Sequence, residues 1–380
     1  MKKSLIAMAV AGAFVAPAAM AEVTISGAIN LGIELSKSSG GTGGGNSLTR
    51  TQLNANYSNI NISSTDDIGN GNKVVFNYQL VVNPGLTSGN PVNRNSYLGL
   101  AGNWGAFKMG TNENVYERFM YQADPLDGAL GPGGNLMILG TPGANTAFDV
   151  GQNCAATAGP GCIGFYRRSD HTIWYESPNW NGFSFEVDYS LSAGKTATGQ
   201  DPKLLSLGGK YAPEGMPFYV DVAYEKHDDM FGMRALGATG GTGSSDTGLQ
   251  FGAGYMIGDL GLHARYEQLK YEIDGSGTAI NEYKRNAYWF GVKYNMPSGY
   301  IGAELGIAQE GETNAGDVND SGARMFGIGY FHNLSKQSQL QFIYGRTDND
   351  DAATYTQAAA PLGTAGSDHQ VFHVGIKHTF

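Results

Sequence analysis

The last ten residues of the chain alternate between two kinds of side chain, up to the C-terminal residue itself. One set is mainly apolar and consists of Phe372, Val374, Ile376, His378 and Phe380. The other set is mainly small or polar and consists of Val371, His373, Gly375, Lys377 and Thr379. Because successive side chains of a strand point to opposite faces, this pattern predicts a strand with one apolar face that ends at the chain terminus.

A terminal strand needs a partner, and the segment from Val23 to Leu35 has a matching pattern. Its odd-numbered residues are mainly apolar: Val23, Ile25, Gly27, Ile29, Leu31, Ile33 and Leu35. Its even-numbered residues are small or polar: Thr24, Ser26, Ala28, Asn30, Gly32 and Glu34. Pairing of the two ends would close a sheet into a barrel that has no free edge.

The first 21 residues predict a secretory signal peptide. Lys2 and Lys3 precede a short apolar run over residues 5–15, and Ala19-Met20-Ala21 forms a small-residue cleavage pattern. Cleavage would leave residues 22–380 as the mature chain. Of the 24 basic side chains 22 remain, against 34 acidic ones, so the formal charge is −12. That excess of acid argues against a nucleic-acid partner.

Strand-like alternation recurs between the two ends, for example over residues 183–190, 218–225, 260–267 and 301–308. One face of these segments carries charges that a packed soluble core would not bury unpaired but that suit a water-filled lumen. Short Gly- and Asn-containing turns alternate with long polar, Gly-rich loops. The predicted fold is therefore all-β: one transmembrane antiparallel barrel of about sixteen strands over residues 22–380.

Two cysteines, Cys154 and Cys162, lie in a segment rich in Gly, Ala and Pro. In a secreted chain this spacing favours a local disulfide. A zinc site is disfavoured because the chain has no further cysteine and no histidine with partner spacing. Nucleotide-binding, zinc-protease and nucleophile-elbow motifs are missing from the sequence, so neither a cofactor nor a catalytic set is predicted.

Several segments, in order, resemble the trimeric general porins of Gram-negative outer membranes. They are Ser58–Ile62 followed by Asp66–Lys73, Arg94–Leu100 with Trp104–Gly110, and Tyr175–Pro178 with Gly182–Ser184. The resemblance implies an outer-membrane homotrimer, surrounded by lipid and lipopolysaccharide, that passes small hydrophilic solutes and ions. It also implies that Phe380 is a signal read by the barrel-assembly machinery.

The resemblance identifies residues 112–170 as a constriction loop, which in this family folds into the barrel and narrows it. A long loop in a compact fold is usually functional. Its acidic residues are expected to face basic residues of the wall, which makes a field across the opening. The acidic candidates are Glu113, Glu117, Asp124, Asp127 and Asp149.

The basic wall residues come from two arguments. By alternation, Lys108 and Arg50 face the lumen. By resemblance, Arg94 and Arg168 match wall arginines of the family, although alternation leaves Arg94 unsettled because Leu98 and Leu100 share its parity. Relatives often carry a base where this chain has Ala28 and Asn59. With fewer wall bases, the pore is expected to show a weak to moderate preference for cations.

Four functions remain to be separated. The favoured hypothesis is a passive diffusion porin, and the alternative within transport is a substrate-selective channel that binds one solute by a ladder of aromatic or basic side chains. An outer-membrane enzyme would require a nucleophile with its base and orienting group, and no such set is found. A soluble secreted β-sandwich is disfavoured by the apolar alternation and by the matching chain ends.

Overall fold

The computed structural model describes residues 22–42, 47–85, 92–126, 132–143, 164–191, 195, 197, 199, 201–230, 243–273, 280–357 and 364–380. The predicted signal peptide, the acidic candidates Asp127 and Asp149, and the predicted disulfide between Cys154 and Cys162 lie outside these residues.

The described residues form one antiparallel sheet of twenty strand segments. The segments are β1 (Glu22–Ser38), β2 (Leu48–Asn54), β3 (Asn59–Gly69), β4 (Asn72–Val81), β5 (Val92–Asn93), β6 (Ser96–Gly102), β7 (Gly105–Glu113), β8 (Arg168–Glu176), β9 (Phe183–Ser190), β10 (Lys203–Tyr211), β11 (Phe218–Asp228), β12 (Ser244–Ile257), β13 (Leu260–Ile273), β14 (Glu282–Met296), β15 (Gly299–Ala308), β16 (Gly311–Thr313), β17 (Gly316–Val318), β18 (Ala323–Asn333), β19 (Ser338–Asn349) and β20 (His369–Thr379). One helix, α1 (Val115–Tyr121), and one 3₁₀ turn (Asn135–Met137) lie between β7 and β8.

These segments make sixteen barrel strands, which confirms the predicted fold class. Both β2 and β3 pair with β1 and continue one strand, and both β5 and β6 pair with β4. The short β16 and β17 pair with each other as a hairpin beside β14. Among the described residues, no helix is long and apolar enough to cross a bilayer.

The barrel closes between its first and last strands, as the matching ends of the sequence predict. β1 and β20 pair from Ala28 opposite Thr379 to Ser38 opposite His369. Beyond that ladder, the N–H of Phe380 donates to the carbonyl of Gly27 at 3.1 Å, and the N–H of Gly27 donates to the carbonyl of Phe380 at 3.0 Å. The terminal residue therefore completes the seam.

The two faces of the sheet differ in the way that alternation predicts. Along β12, Phe251 and Tyr255 point outward and are 50% and 51% exposed, whereas Gln250, directly before Phe251, points inward and is buried. On the neighbouring β13, the inward-facing Arg265 and Glu267 are buried as well. An apolar outer band around a polar interior is the pattern of a barrel that lies in lipid.

Removal of Phe380 is expected to lower the amount of folded barrel. The truncation deletes both backbone hydrogen bonds to Gly27 and the ring, and each hydrogen bond contributes about 0.5–1.5 kcal/mol net. Phe380→Tyr, which keeps the backbone and a ring, is the matched control. The measurement is the heat-modifiable, membrane-embedded fraction on gels, and equal folded fractions for the truncated and full-length chains would contradict the prediction.

Candidate channel constriction

The connection between β7 and β8, residues 114–167, lies inside the barrel in its described parts, and we call it the inner loop. Its helix α1 packs against β9, β10, β11 and β12. Tyr116, Phe119 and Met120 of α1 are buried in a core shared with wall residues such as Ala223 and Leu269. The sequence placed the loop at 112–170, but β7 continues to Glu113 and β8 begins at Arg168.

Glycines on the inner face of the wall make room for the inner loop. A Cβ added at Gly208 would lie 2.8 Å from the side chain of Val115, and one at Gly306 would lie 2.6 Å from that of Ile138. A Cβ at Gly302 would lie 2.4 Å from the carbonyl oxygen of Pro125. Since real Cβ contacts are longer, these wall positions require glycine for the loop to dock.

Arg118 of α1 fixes the helix to the wall by charge. Its guanidinium forms an ion pair with Glu186 and lies 3.6 Å from the carboxylate of Asp188, both on β9. It also donates to the backbone carbonyl of Glu113. Asp188 is fully buried, so Arg118 supplies a charge that this carboxylate needs.

A buried ion pair on the neighbouring strands β13 and β14 holds the part of the inner loop around Ile138 and Gly140. The Arg285 guanidinium lies 2.8 Å from the Glu267 carboxylate and donates to the carbonyl of Ile138 at 3.1 Å. Glu267 accepts hydrogen bonds from the N–H of Gly140 at 2.8 Å and the hydroxyl of Tyr116 at 3.1 Å. The pair therefore satisfies backbone groups that the loop would otherwise bury unpaired.

The root of the loop is a cluster around Glu113, one of the acidic residues that the sequence singled out. The Arg94 guanidinium lies 2.9 Å from the Glu113 carboxylate, and Arg168 and the Tyr121 hydroxyl also bond to that carboxylate. Arg94 stacks on the Tyr57 ring, 4.3 Å from its centroid. The chain is not in strand conformation between β5 and β6, so strict alternation does not apply to Arg94.

The other predicted bases lie apart from this cluster. Lys108 faces inward on β7, and its ammonium group lies 2.7 Å from both carboxylate oxygens of Glu176 on β8. Arg50 lies on β2 opposite Ser36, near the end of the barrel where the long loops emerge, and it is exposed. The structure brings together Arg94 and Arg168 but neither Lys108 nor Arg50.

Two of the predicted acids, Glu117 and Asp124, belong to the inner loop itself. The Asp124 carboxylate accepts the backbone N–H groups of Leu126 at 2.7 Å and Asn135 at 2.8 Å, so it shapes the loop itself. Glu117 is only 7% exposed. Its burial, with repulsion from Glu113 as a second cause, raises the pKa of the Glu117 carboxyl to about 8, which leaves it mostly protonated at neutral pH.

The carboxylates that pair with the wall bases are Glu113, for Arg94 and Arg168, and Glu176, for Lys108. Sequence reasoning missed Glu176 and Arg118 as partners. Alternation places Glu176 on the inner face, two residues after Trp174, and this signal was available. No pattern in the sequence indicates which strand Arg118 would reach from a helix inside the lumen.

The sequence is similar to known proteins over most of its length. A protein-family model described as "Gram-negative porin" matches residues 7–352. Outer membrane porin protein 32 of Delftia acidovorans is 27% identical over the full length of both chains. The major outer membrane protein P.IB of Neisseria meningitidis serogroup A is 28% identical over 60% of this chain and 61% of its own length.

Solved structures share the fold. An anion-selective porin from Comamonas acidovorans superposes with a TM-score of 0.75 at 23% identity and covers 95% of this chain and 100% of its own. The in-vitro folded outer membrane protein OmpT of Vibrio cholerae, in its trimer form, superposes with a TM-score of 0.62 at 13% identity, over 95% of this chain and 99% of its own.

Gly208→Val is expected to displace α1 and to make single-channel conductance larger or unsteady. The new side chain would meet Val115 and Phe119, and overpacking of this kind costs about 1–3 kcal/mol. Gly209→Val is the matched control, because a Cβ at that neighbouring position has no contact closer than 3.8 Å. Conductance traces of both variants in planar bilayers test this, and a Gly208→Val trace that matches the control would refute the docking role.

Proposed function

The chain belongs to the Gram-negative porin family and is an outer-membrane porin channel rather than an enzyme, and from this premise we propose that it passes small hydrophilic solutes and ions by passive diffusion through an opening that the inner loop narrows. The observation that carries the proposal is the docking of α1 on the inner wall by Arg118 and by wall glycines such as Gly208. A docked loop gives the opening a fixed cross-section, which selects solutes by size.

We assign the predicted site residues to the constriction as charges that are mostly paired. Arg94 and Arg168 hold the loop root through Glu113, and Lys108 with Glu176 forms a second pair on the wall. Asp124 supports the loop from within through the N–H groups of Leu126 and Asn135. Glu117 and Asp127 are assigned to the constriction because they belong to the same loop. Arg50 is assigned to the outer mouth.

The expected weak to moderate cation preference is kept as a proposal for this chain. Lys108 has its own carboxylate in Glu176, whereas Arg94 and Arg168 share the single carboxylate of Glu113, so most but not all of the positive charge of the wall bases is balanced by direct ion pairs, and only a weak preference is expected. The mature chain carries a formal charge of −12, but charges farther away than about 8–10 Å are largely screened at physiological salt.

We also propose a homotrimer whose outward apolar faces contact lipid, lipopolysaccharide and neighbouring subunits, and whose Phe380 is read by the barrel-assembly machinery. Exposed outward side chains on β1, β6 and β20, such as Ile33, Leu98 and Phe372, supply the apolar surface. A disulfide between Cys154 and Cys162 and a cleaved signal peptide over residues 1–21 complete the proposal. The mass of the purified protein, measured by native mass spectrometry, tests the trimer, the disulfide and the cleavage of the signal peptide together.

A liposome-swelling series is expected to show rates that fall smoothly with solute size. For passive diffusion the rates depend on solute size and charge and do not saturate with concentration. The alternative, a substrate-selective channel, predicts one solute that enters much faster than others of its size and at a rate that saturates. Liposomes without the protein are the control, and an absence of swelling with every solute would remove the channel proposal.

Glu176→Gln is expected to shift the reversal potential under a salt gradient toward anions. The substitution leaves Lys108 charged and unpaired while it keeps an oxygen for the Trp174 indole N–H. An electrostatic change of about 0.5–1 kcal/mol corresponds to roughly a twofold to fivefold change in the permeability ratio. Glu312→Gln, in the β16–β17 hairpin, is the control, and equal shifts in both variants would argue against a constriction role for the Lys108 pair.

A further inference from the structure

The outer loop between β19 and β20 turns back into the barrel and lies on the inner loop, and we call its residues 350–357 the strap. Alternate side chains of the strap are buried: Ala353, Tyr355 and Gln357 are each at most 2% exposed. Ala353 and Tyr355 belong to the same buried core as the helix α1. The strap is therefore packed into the interior, although it belongs to a loop at the outer mouth.

Asn349, the last residue of β19, gives the strap its shape. Its amide nitrogen donates to the backbone carbonyls of Tyr355 at 2.7 Å and Ser367 at 2.6 Å, and its side-chain oxygen accepts the N–H of Tyr355 at 3.0 Å. The N–H of Ala352 donates to the carbonyl of Asp320 at 2.8 Å, which ties the strap to the loop before β18. Because its own loop and a neighbouring loop both hold it, the strap has a defined position.

The strap contacts the inner loop first at Gly143. The N–H of Thr354 donates to the Gly143 carbonyl at 3.0 Å, and the Thr354 hydroxyl donates to the same oxygen at 3.2 Å. The ring of Tyr355 covers Gly143 so closely that a Cβ there would lie 2.0 Å from ring carbons. Gly143 also has a φ of +62°, a conformation that favours glycine. A side chain at this position would therefore push the strap away.

The second contact is at Gly133, near the other end of the inner-loop segment 132–143. The Gln357 side-chain oxygen accepts the N–H of Gly133 at 2.7 Å, and the Gln357 amide donates to the hydroxyl of Thr347 on β19 at 2.8 Å. A Cβ at the wall residue Gly345 would lie 2.4 Å from the Gly133 nitrogen. Gly133 is thus enclosed between the wall and Gln357, and Gln357 supplies the acceptor that its buried N–H requires.

The two contacts lie on either side of the residues that the wall holds. Arg285 and Glu267 bind the backbone of residues 138–140. Every residue from 132 to 143 is buried, so this segment fills its side of the lumen while it is held. Loss of the strap would leave a buried N–H at one end and a buried carbonyl at the other without these partners. The ends of the segment would then shift toward positions where water can satisfy them.

We propose that the strap is a second determinant of the channel opening, and that Gln357 and Tyr355 are positioning residues for the inner loop. The inference rests on the proposed channel function, because it concerns how steadily an open channel conducts. The inner loop and the outer loop between β19 and β20 then fix the cross-section together. An opening fixed in this way has one conductance level, whereas a released segment gives several.

The test is single-channel recording of the full-length folded protein in planar bilayers. Potassium chloride at about 1 M screens charges beyond about 3 Å, so differences between variants report mainly geometry. Gln357→Leu removes the acceptor of the Gly133 N–H. It is expected to populate additional conductance levels about threefold to tenfold more than the unmodified protein, the effect of one lost hydrogen bond. Gln337→Leu, the same change at an exposed residue of the short turn between β18 and β19, is the control.

A second pair of variants tests the ring. Tyr355→Ala uncovers Gly143 and is expected to raise the variance of the open-channel current. Tyr355→Phe keeps the ring and loses only the 3.4 Å contact of the hydroxyl with the Pro142 carbonyl, so it is expected to give the unmodified trace. The temperature at which gel mobility changes on heating is expected to be the same in all variants, because the strap lies outside the barrel strands. This readout separates a displaced loop from an unstable barrel.

The outcomes separate the two proposals. If the unmodified protein passes no potassium current, the channel function fails and the strap inference falls with it. If it conducts and the traces of Gln357→Leu and Tyr355→Ala match that of Gln337→Leu, the strap inference is overturned and the channel function stands. If neither strap variant inserts, Thr354→Ala, which loses one hydroxyl hydrogen bond to Gly143, decides the question. Additional conductance levels in Thr354→Ala support the inference, and an unmodified trace overturns it.

Discussion

Satisfaction of the backbone hydrogen bonds is the constraint on which the rest of this structure depends. In hydrocarbon an unpaired N–H or carbonyl costs several kcal/mol, so a sheet that spans a membrane must close on itself. The seam between β1 and β20 meets this requirement down to Phe380, whose N–H and carbonyl both bond to Gly27. Closure in turn fixes one face of every strand toward the lumen.

Closure encloses a lumen. The inner loop fills one side of this lumen by packing against the wall and leaves the other side open. On one side the inner loop and the wall form a core of buried apolar side chains around Tyr116, Phe119 and Trp289. Arg285 is buried in this core beside Glu267, and the buried Asp188 lies beside Arg118. Loss of one member would leave the other buried and unpaired, which is strongly destabilising. The pairs therefore hold the loop in one place.

The open side of the lumen has a different character. There the wall bases lie next to carboxylates. Lys108 is thus balanced by Glu176, whereas Arg94 and Arg168 share the one carboxylate of Glu113. A surface with paired charges discriminates mainly by the size of the solute and only weakly by its charge.

The sequence by itself determined the barrel, because the period of two is a property of the extended backbone and is visible in any strand. It placed Lys108 on the inner face, paired the ends at Phe380, and identified the long segment before Arg168 as a loop of special function. Only the tertiary structure decided the contacts of that loop. Asp124 binds the N–H groups of Leu126 and Asn135, and Arg94 reaches Glu113 beside an interruption between β5 and β6. Such partners depend on which distant strand the folded loop contacts, and the local periodicity of the sequence does not indicate that contact.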